Sequence, residues 1–421
     1  MSPVLNQSNL IKLFIIWFPI SFLMIRHGVH VSLYGIFLLF IYDLIKNPAK
    51  RESDKKTILI TISLGSILAV TAIQQIASSS LNFNAWDGPS RLLIAGICLL
   101  YLRQKNLDCK KYLEIAIPAA LILLCLYLSI NKTYYWGHRW ANSFVDPNSL
   151  GSQSTILSML CILSIITSSK SYLNLLKMIG AACGFYISIK AESRGGWIAI
   201  PFMTICWFIT QTIQANKNEL NKIISVLLIL TLGITITAIY VDSVNARLAH
   251  TLFEISAWFK DPTMYTSAGS RMSMWVTSLQ LISENPMGYG EIAIKDLLSN
   301  HPLFTSIHAH GVKDMITAGP HSDILSKGLS LGLMGIAAYL LTIACPIALF
   351  ASKIKDDNPN IRDAANLGLI YVTGVLVAGM FNEALSLKYL CSFYGLMIAC
   401  LAAQVLHQPN ANPSDKNNLN P

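Results

Sequence analysis

Apolar residues dominate the chain in long runs separated by short polar connections. A membrane-spanning helix needs about 20 mostly apolar residues. By that measure the pattern predicts about twelve helices, near 9–25, 29–45, 57–77, 90–103, 112–130, 149–168, 173–191, 196–214, 222–241, 323–351, 364–385 and 388–407. The fourth run is short and the second pair is tight, which leaves eleven as an alternative count. The first run lacks a small-residue cleavage site and is followed at once by another apolar run, so it reads as a span and not as a cleaved signal peptide. The expected fold class is all-α: a polytopic integral membrane protein. Residues 1–241 would hold the first nine spans and 323–407 the last three, followed by a disordered tail at 408–421.

One stretch breaks this rhythm. Residues 242–322 contain no spanning run, although most other connections are short. Long irregular connections in compact proteins are usually functional or disordered, and this one is not of low complexity. The segment 247–260 (RLAHTLFEISAWFK) puts Leu248, Leu252, Ile255 and Phe259 on one helical face, which suits a helix lying in a membrane interface. A second helical stretch, 270–283, ends at the Pro-Met-Gly-Tyr-Gly segment 286–290.

Composition agrees with a membrane protein: 53% of the 421 residues are hydrophobic and only 13% charged. A soluble domain carries about 25% charged residues, so a soluble enzyme, a disordered chain and a nucleic-acid binder are excluded. The net charge of +9, from 31 Lys and Arg against 22 Asp and Glu, then reflects basic cytoplasmic loops. Basic residues gather in alternate connections: Lys46, Lys50, Arg51, Lys55 and Lys56; Arg103, Lys105, Lys110 and Lys111; Lys170; Lys217 and Lys222; Lys353, Lys355 and Arg362. The positive-inside rule makes these cytoplasmic. Both termini are then cytoplasmic, and the long 242–322 loop lies on the other side, the periplasm of a bacterium. The nine cysteines fall mostly in apolar runs without metal-binding spacing and read as packing residues.

Candidate chemistry concentrates on the external side. Five of the nine histidines, at 250, 301, 308, 310 and 321, lie in the long loop. Metal ligation by His308, His310 and His321 is one reading, but no HExxH, clustered carboxylate or cysteine partner supports it. Solvated loop histidines are another, and an acid–base histidine a third. His321 follows Gly319-Pro320 at the mouth of the tenth predicted span, where an imidazole can accept a proton from a hydroxyl. Arg194 ends the seventh predicted span; it either pairs locally with Lys190 and Glu192 or clamps a phosphate, whose geometry a guanidinium matches. Arg139 and Arg271 are similar external arginines, and together the set suits a polyanionic lipid head group. Walker A, Rossmann-glycine, SxxK and GxSxG patterns are missing from the sequence.

Four segments, in order from residue 146 to 341, resemble the O-antigen ligase family, whose relatives include O-antigen polymerases and protein O-oligosaccharyltransferases. They are DPNSLGSQ (146–153), SRGGWIAI (193–200), GSRMSMWVTSLQLISENPMGYG (269–290) and HSDILSKGLSLGLMGI (321–336). Ser322 departs from the Asn usual in that family. The resemblance implies a metal-independent, inverting glycosyltransferase of the bacterial inner membrane, needing no cofactor and active at the periplasmic face. Its donor would be a glycan on undecaprenyl diphosphate, and its acceptor a sugar hydroxyl of lipid A–core. His321 would be the catalytic histidine, as a base or an orienting group, with Arg194 and Arg271 on the diphosphate. Arg139 and Asn148 would assist binding. The sequence leaves open whether the protein works alone or beside an O-antigen polymerase and chain-length regulator. Polymerase and protein oligosaccharyltransferase are the alternatives within the family, and a lipid-linked glycan transporter the alternative outside it.

Overall fold

A computed structural model describes residues 7–47, 54–79, 81–135, 138–165, 171–214, 217–290 and 293–407. The expected tail at 408–421 lies outside the described residues, as do Lys50, Arg51 and Lys170. A helix forms at each of the twelve apolar runs. The first five are α1 (Gln7–Ser21), α2 (Gly28–Lys46), α3 (Lys55–Ala77), α4 (Asp87–Lys105) and α5 (Cys109–Asn131). An antiparallel hairpin of β1 (Thr133–Tyr135) and β2 (Arg139–Ala141) follows, which the apolar pattern did not indicate. Then come α6 (Pro147–Leu163), α7 (Ser171–Ala191), α8 (Arg194–Gln214) and α9 (Lys217–Tyr240). The long connection folds into α10 (Asp242–Lys260), α11 (Ser267–Glu284), α12 (Ala293–Asn300) and α13 (Ala309–Ala318). The chain closes with α14 (Asp323–Ala351), α15 (Pro359–Phe381) and α16 (Lys388–Val405).

The protein is an all-α polytopic membrane protein. Among the described residues, eight helices (α2, α3, α5, α7, α8, α14, α15 and α16) are long and apolar enough to cross a membrane. Three of the four helices at the remaining runs fall short for visible reasons. α1 has 15 residues and α6 has 17. α4 carries Asp87, Arg91, Arg103 and Lys105.

The centre of the bundle is built from α6, α15 and α16, whose side chains are buried on nearly every side. α6 is rich in serine and threonine, and lipid supplies no partner for a buried hydroxyl. These hydroxyls bond internally: Thr155 Oγ1 donates to Gly151 O at 2.9 Å, and Thr155 and Ser188 hydroxyls lie 2.7 Å apart. Small residues also let the starts of α6 and α8 touch. A Cβ at Gly196 would press on the Ser152 backbone, and one at Gly151 would meet Ser193. The glycines of the two motifs therefore have a packing reason, independent of any chemistry.

α14 is not one continuous helix. At Gly332 the backbone takes φ 66° and ψ −155°, a region that essentially only glycine enters. The groups freed by the break find partners in the 286–290 segment. Tyr289 N–H donates to Leu329 O at 2.8 Å, Gly290 N–H to Ser330 O at 2.9 Å, and Leu333 N–H to Pro286 O at 2.9 Å. The Gly288 backbone, at φ 81°, lies directly against Gly332. A helix interruption at membrane depth is tolerated only where protein satisfies the backbone in this way.

Gly332→Ala should lower stability by about 2 kcal/mol or more, because the backbone region excludes Cβ and the added carbon would overlap Pro286 O. Gly233→Ala, in α9 where a Cβ meets nothing within 4 Å, should be neutral or stabilising by about 0.5–1 kcal/mol. Thermal-unfolding midpoints of the purified proteins in detergent compare the two; equal losses would contradict the account of the break.

Candidate functional site

Each predicted site residue sits at an element boundary. Asp146 caps α6: its Oδ1 accepts the N–H of Asn148 at 2.9 Å and of Ser149 at 3.1 Å, with Pro147 at the first helical position. The cap fixes Asn148, whose Oδ1 accepts from Arg139 Nη2 at 2.8 Å. The hairpin delivers Arg139 from β2, where it is buried; its Nε donates to Ala191 O at 2.9 Å and its Nη2 to Glu192 O at 3.3 Å. Burial, with the field of Arg247 adding to it, brings the Arg139 guanidinium down to about 10. Arg139 and Asn148 thus brace the α7–α8 turn.

Arg194 opens α8. Its Nη1 donates to Thr251 Oγ1 and to Glu254 Oε2, both at 2.7 Å, and its Nη2 donates to Ser267 Oγ at 2.9 Å. Its ion-pair partner is Glu254 of α10, 60 residues along the chain, rather than the nearby Glu192. Glu192 turns the other way from φ 50° and pairs with Arg247 Nε at 3.4 Å and His138 Nε2 at 3.4 Å. Glu254 is 2% exposed and also accepts the N–H groups of Ser267 and Ala268, at 3.2 and 3.3 Å, at the start of α11. Burial pushes its carboxyl up, but the hydrogen bond and charge of Arg194 and the nearby His250 outweigh this and hold it below the usual range.

Arg271, on the first turns of α11, is different. Among the described residues it makes no hydrogen bond or ion pair, and it is coupled through space to Arg194, Arg247, Glu254 and Asp146. Burial, then repulsion from Arg194 and Arg247, brings it down to about 10, still cationic at neutral pH. His321 completes the group. Gly319 at φ 70° and His321 itself at φ 49° turn the chain into α14. Burial and then the Arg271 charge bring the imidazole down to about 4, with Asp146 and Asp314 opposing. It is therefore neutral at pH 7. The fold thus joins Arg194, Arg271 and His321 in one electrostatic cluster with Arg139, Arg247, Asp146, Glu192 and Glu254. Four guanidinium groups share this region with Asp146, Glu192 and Glu254, and Asp314 acts from the His321 side; Arg271 is the one arginine left without a direct partner among the described residues.

The other loop histidines have separate partners. His301 Nε2 lies 3.1 Å from Glu284 Oε2, and His308 Nδ1 lies 3.2 Å from Ser273 Oγ. His310 packs on the Tyr265 ring, and His250 Nδ1 lies 3.2 Å from Glu254. Among the described residues no three His, Cys, Asp or Glu side chains group as a metal site.

Residues overlooked in the sequence hold the site together. Arg247, Thr251, Glu254 and Trp258 recur at helical spacing, one residue back from the apolar stripe of α10. Asp323 is fully buried and accepts the N–H groups of Ala384 and Leu385, at 3.1 and 2.8 Å. Glu383 lies against Gly319, faces the His321 N–H and accepts from Ser326 Oγ at 3.3 Å. Burial pushes its carboxyl up. The α10 stripe was visible as a second period. Asp323 and Glu383 had no such signal, since the groups described as bonding them lie far along the chain.

Comparison with known proteins now bears on this geometry. Residues 179–340 match the O-antigen ligase family. The match spans less than half of the chain, and over that stretch the chain is similar to the family. It includes Arg194, Arg271 and His321 but begins after Arg139 and Asn148. An uncharacterized protein of Haemophilus influenzae is 24% identical over 384 residues, covering 86% of this chain and 90% of its own length.

Two measurements follow from the electrostatics. Because the folded His321 pKa lies below its unfolded value of about 6.5, the imidazole costs no stability above pH 6.5. Below that the unfolded chain takes the proton first, so stability falls until about pH 4. The unfolding midpoint should drop more steeply over this window in the parent than in His321→Gln; parallel curves would show that the imidazole is not held neutral. Glu254→Ala, which strands a buried guanidinium, should cost about 3–5 kcal/mol. Glu284→Ala, which breaks the more exposed pair with His301, should cost less than about 1 kcal/mol in the same unfolding assay.

Proposed function

We propose that the protein is an O-antigen ligase of the bacterial inner membrane, working at the periplasmic face. It would move a polysaccharide from undecaprenyl diphosphate to a sugar hydroxyl of lipid A–core, without a metal. The observation that carries this reading is the neutral His321 imidazole coupled to the uncommitted Arg271 within the arginine cluster.

In this mechanism the diphosphate of the donor settles on Arg271 and Arg194. Guanidinium groups match phosphate oxygens and stay charged, and they stabilise the charge that grows on the leaving group. The acceptor hydroxyl approaches the opposite face of the anomeric carbon. His321 takes the hydroxyl proton as the oxygen–carbon bond forms and the carbon–oxygen bond to the diphosphate breaks. Undecaprenyl diphosphate leaves with that electron pair, and the anomeric centre inverts. The Arg271 charge is one cause of the depressed His321 pKa. A bound diphosphate neutralises that charge, so donor binding itself strengthens the base.

The test is reconstitution of purified protein with undecaprenyl-diphosphate glycan and core lipopolysaccharide, with EDTA present. Glycan joined to core is the expected product. His321→Ala should lose about 10²–10⁴-fold in rate. Arg194→Lys should lose about tenfold or more, because lysine cannot hold Glu254 and Ser267 at once. Longer lipid-linked chains with no transfer to core would make it a polymerase, and transfer to a protein acceptor alone an oligosaccharyltransferase. Movement of the lipid across vesicles with no glycosyl transfer would make it a transporter.

A further inference from the structure

α10 has two different sides. Arg247, Thr251 and Glu254 reach into the arginine cluster. Leu248, Leu252, Phe253 and Phe259 point outward, with Leu252 70% and Phe259 71% exposed. Among the described residues nothing in the protein covers that stripe. α10 also follows α9 after a single residue, Val241. The outward side of α9 is apolar as well, with Leu228, Leu232, Ile236, Ile239 and Tyr240 exposed. The apolar surface of α9 runs to Tyr240 and resumes at Leu248 on α10, with the polar Asp242, Ser243 and Asn245 exposed at the bend between them. Beyond the end of α10 it turns polar, at Lys260 and the exposed Asp261. An amphipathic helix with this disposition lies along a bilayer surface, its apolar side about 5–10 Å into the headgroup–acyl boundary.

We infer that α10 lies in the interfacial layer of the membrane, with Leu248, Leu252, Phe253 and Phe259 in lipid and Arg247, Thr251 and Glu254 forming one wall of the anion site. The occupant of the exposed stripe is the lipid surface. The consequence is positional: the arginine cluster opens at the depth of lipid phosphate groups. A phosphate anchored to a lipid then reaches Arg271 without leaving its own layer of the membrane.

The test uses the full chain with single substitutions Leu252→Cys, Phe259→Cys and, as an aqueous reference, Asp261→Cys. Each carries a spin label in vesicles of phosphatidylethanolamine and phosphatidylglycerol, and the identically treated parent supplies the background from native cysteines. Relaxation is read with oxygen, which partitions into lipid, and with a water-soluble nickel chelate. The ratio of oxygen to nickel accessibility should be several-fold higher at 252 and 259 than at 261. Equal ratios at all three positions would overturn the inference by placing the stripe in water. Protection from both reagents, with dipolar broadening between labels, would overturn it in favour of a second copy of the chain. The readout reports location alone, so its outcome is independent of whether the protein transfers glycans.

Discussion

Four guanidinium groups cannot share a half-buried volume unless carboxylates share it with them. That requirement organises the external half of this protein. Glu254 neutralises Arg194 and caps the start of α11. Glu192 answers Arg247, and Asp146, while capping α6, opposes the fields at Arg271 and Arg139. Glu254 and Asp146 each serve charge balance and helix capping together. Removing one would therefore disturb both the potential and the placement of a helix. The result is a site in which, among the described residues, Arg271 is the one arginine with no direct hydrogen bond or ion pair to the protein.

The same requirement explains why the long connection is folded. Its helices supply the anions and hydroxyls that the α8 arginine needs, and they are tied to one another by polar contacts. Trp258 Nε1 donates to Ser273 Oγ at 2.9 Å, and Ser270 Oγ bonds the Asp314 carboxylate. A separate apolar cluster, including Met274, Leu281, Val312, Met315 and Leu329, sits beneath them. The arginines are thus held by a small packed core of its own, joined to the membrane bundle through α14.

Much of this was legible in the sequence because membrane helices announce themselves. Apolar runs gave a helix at every expected place, and the arginines and His321 stood out as polar residues at the edges of such runs. What could not be read was pairing. Arg194 has Lys190 and Glu192 beside it, yet its partner is Glu254, brought in by the packing of α10 and unrelated to proximity along the chain. The hairpin that carries Arg139 is three residues a side, too short for a periodic signal. The interruption of α14 was hidden because Gly332 lies inside an apolar run that reads as continuous, and the groups that bond its freed backbone lie forty or more residues earlier.

The break at Gly332 has a mechanical meaning. It divides α14 into a long part seated in the bundle and a short part that begins beside His321. The short part is fastened to the 286–290 segment, which closes α11. Because Pro286 O also accepts the Leu333 N–H from beyond the break, this one segment clasps both sides of the joint and braces the helix that bears Arg271 against the stretch of α14 that follows His321.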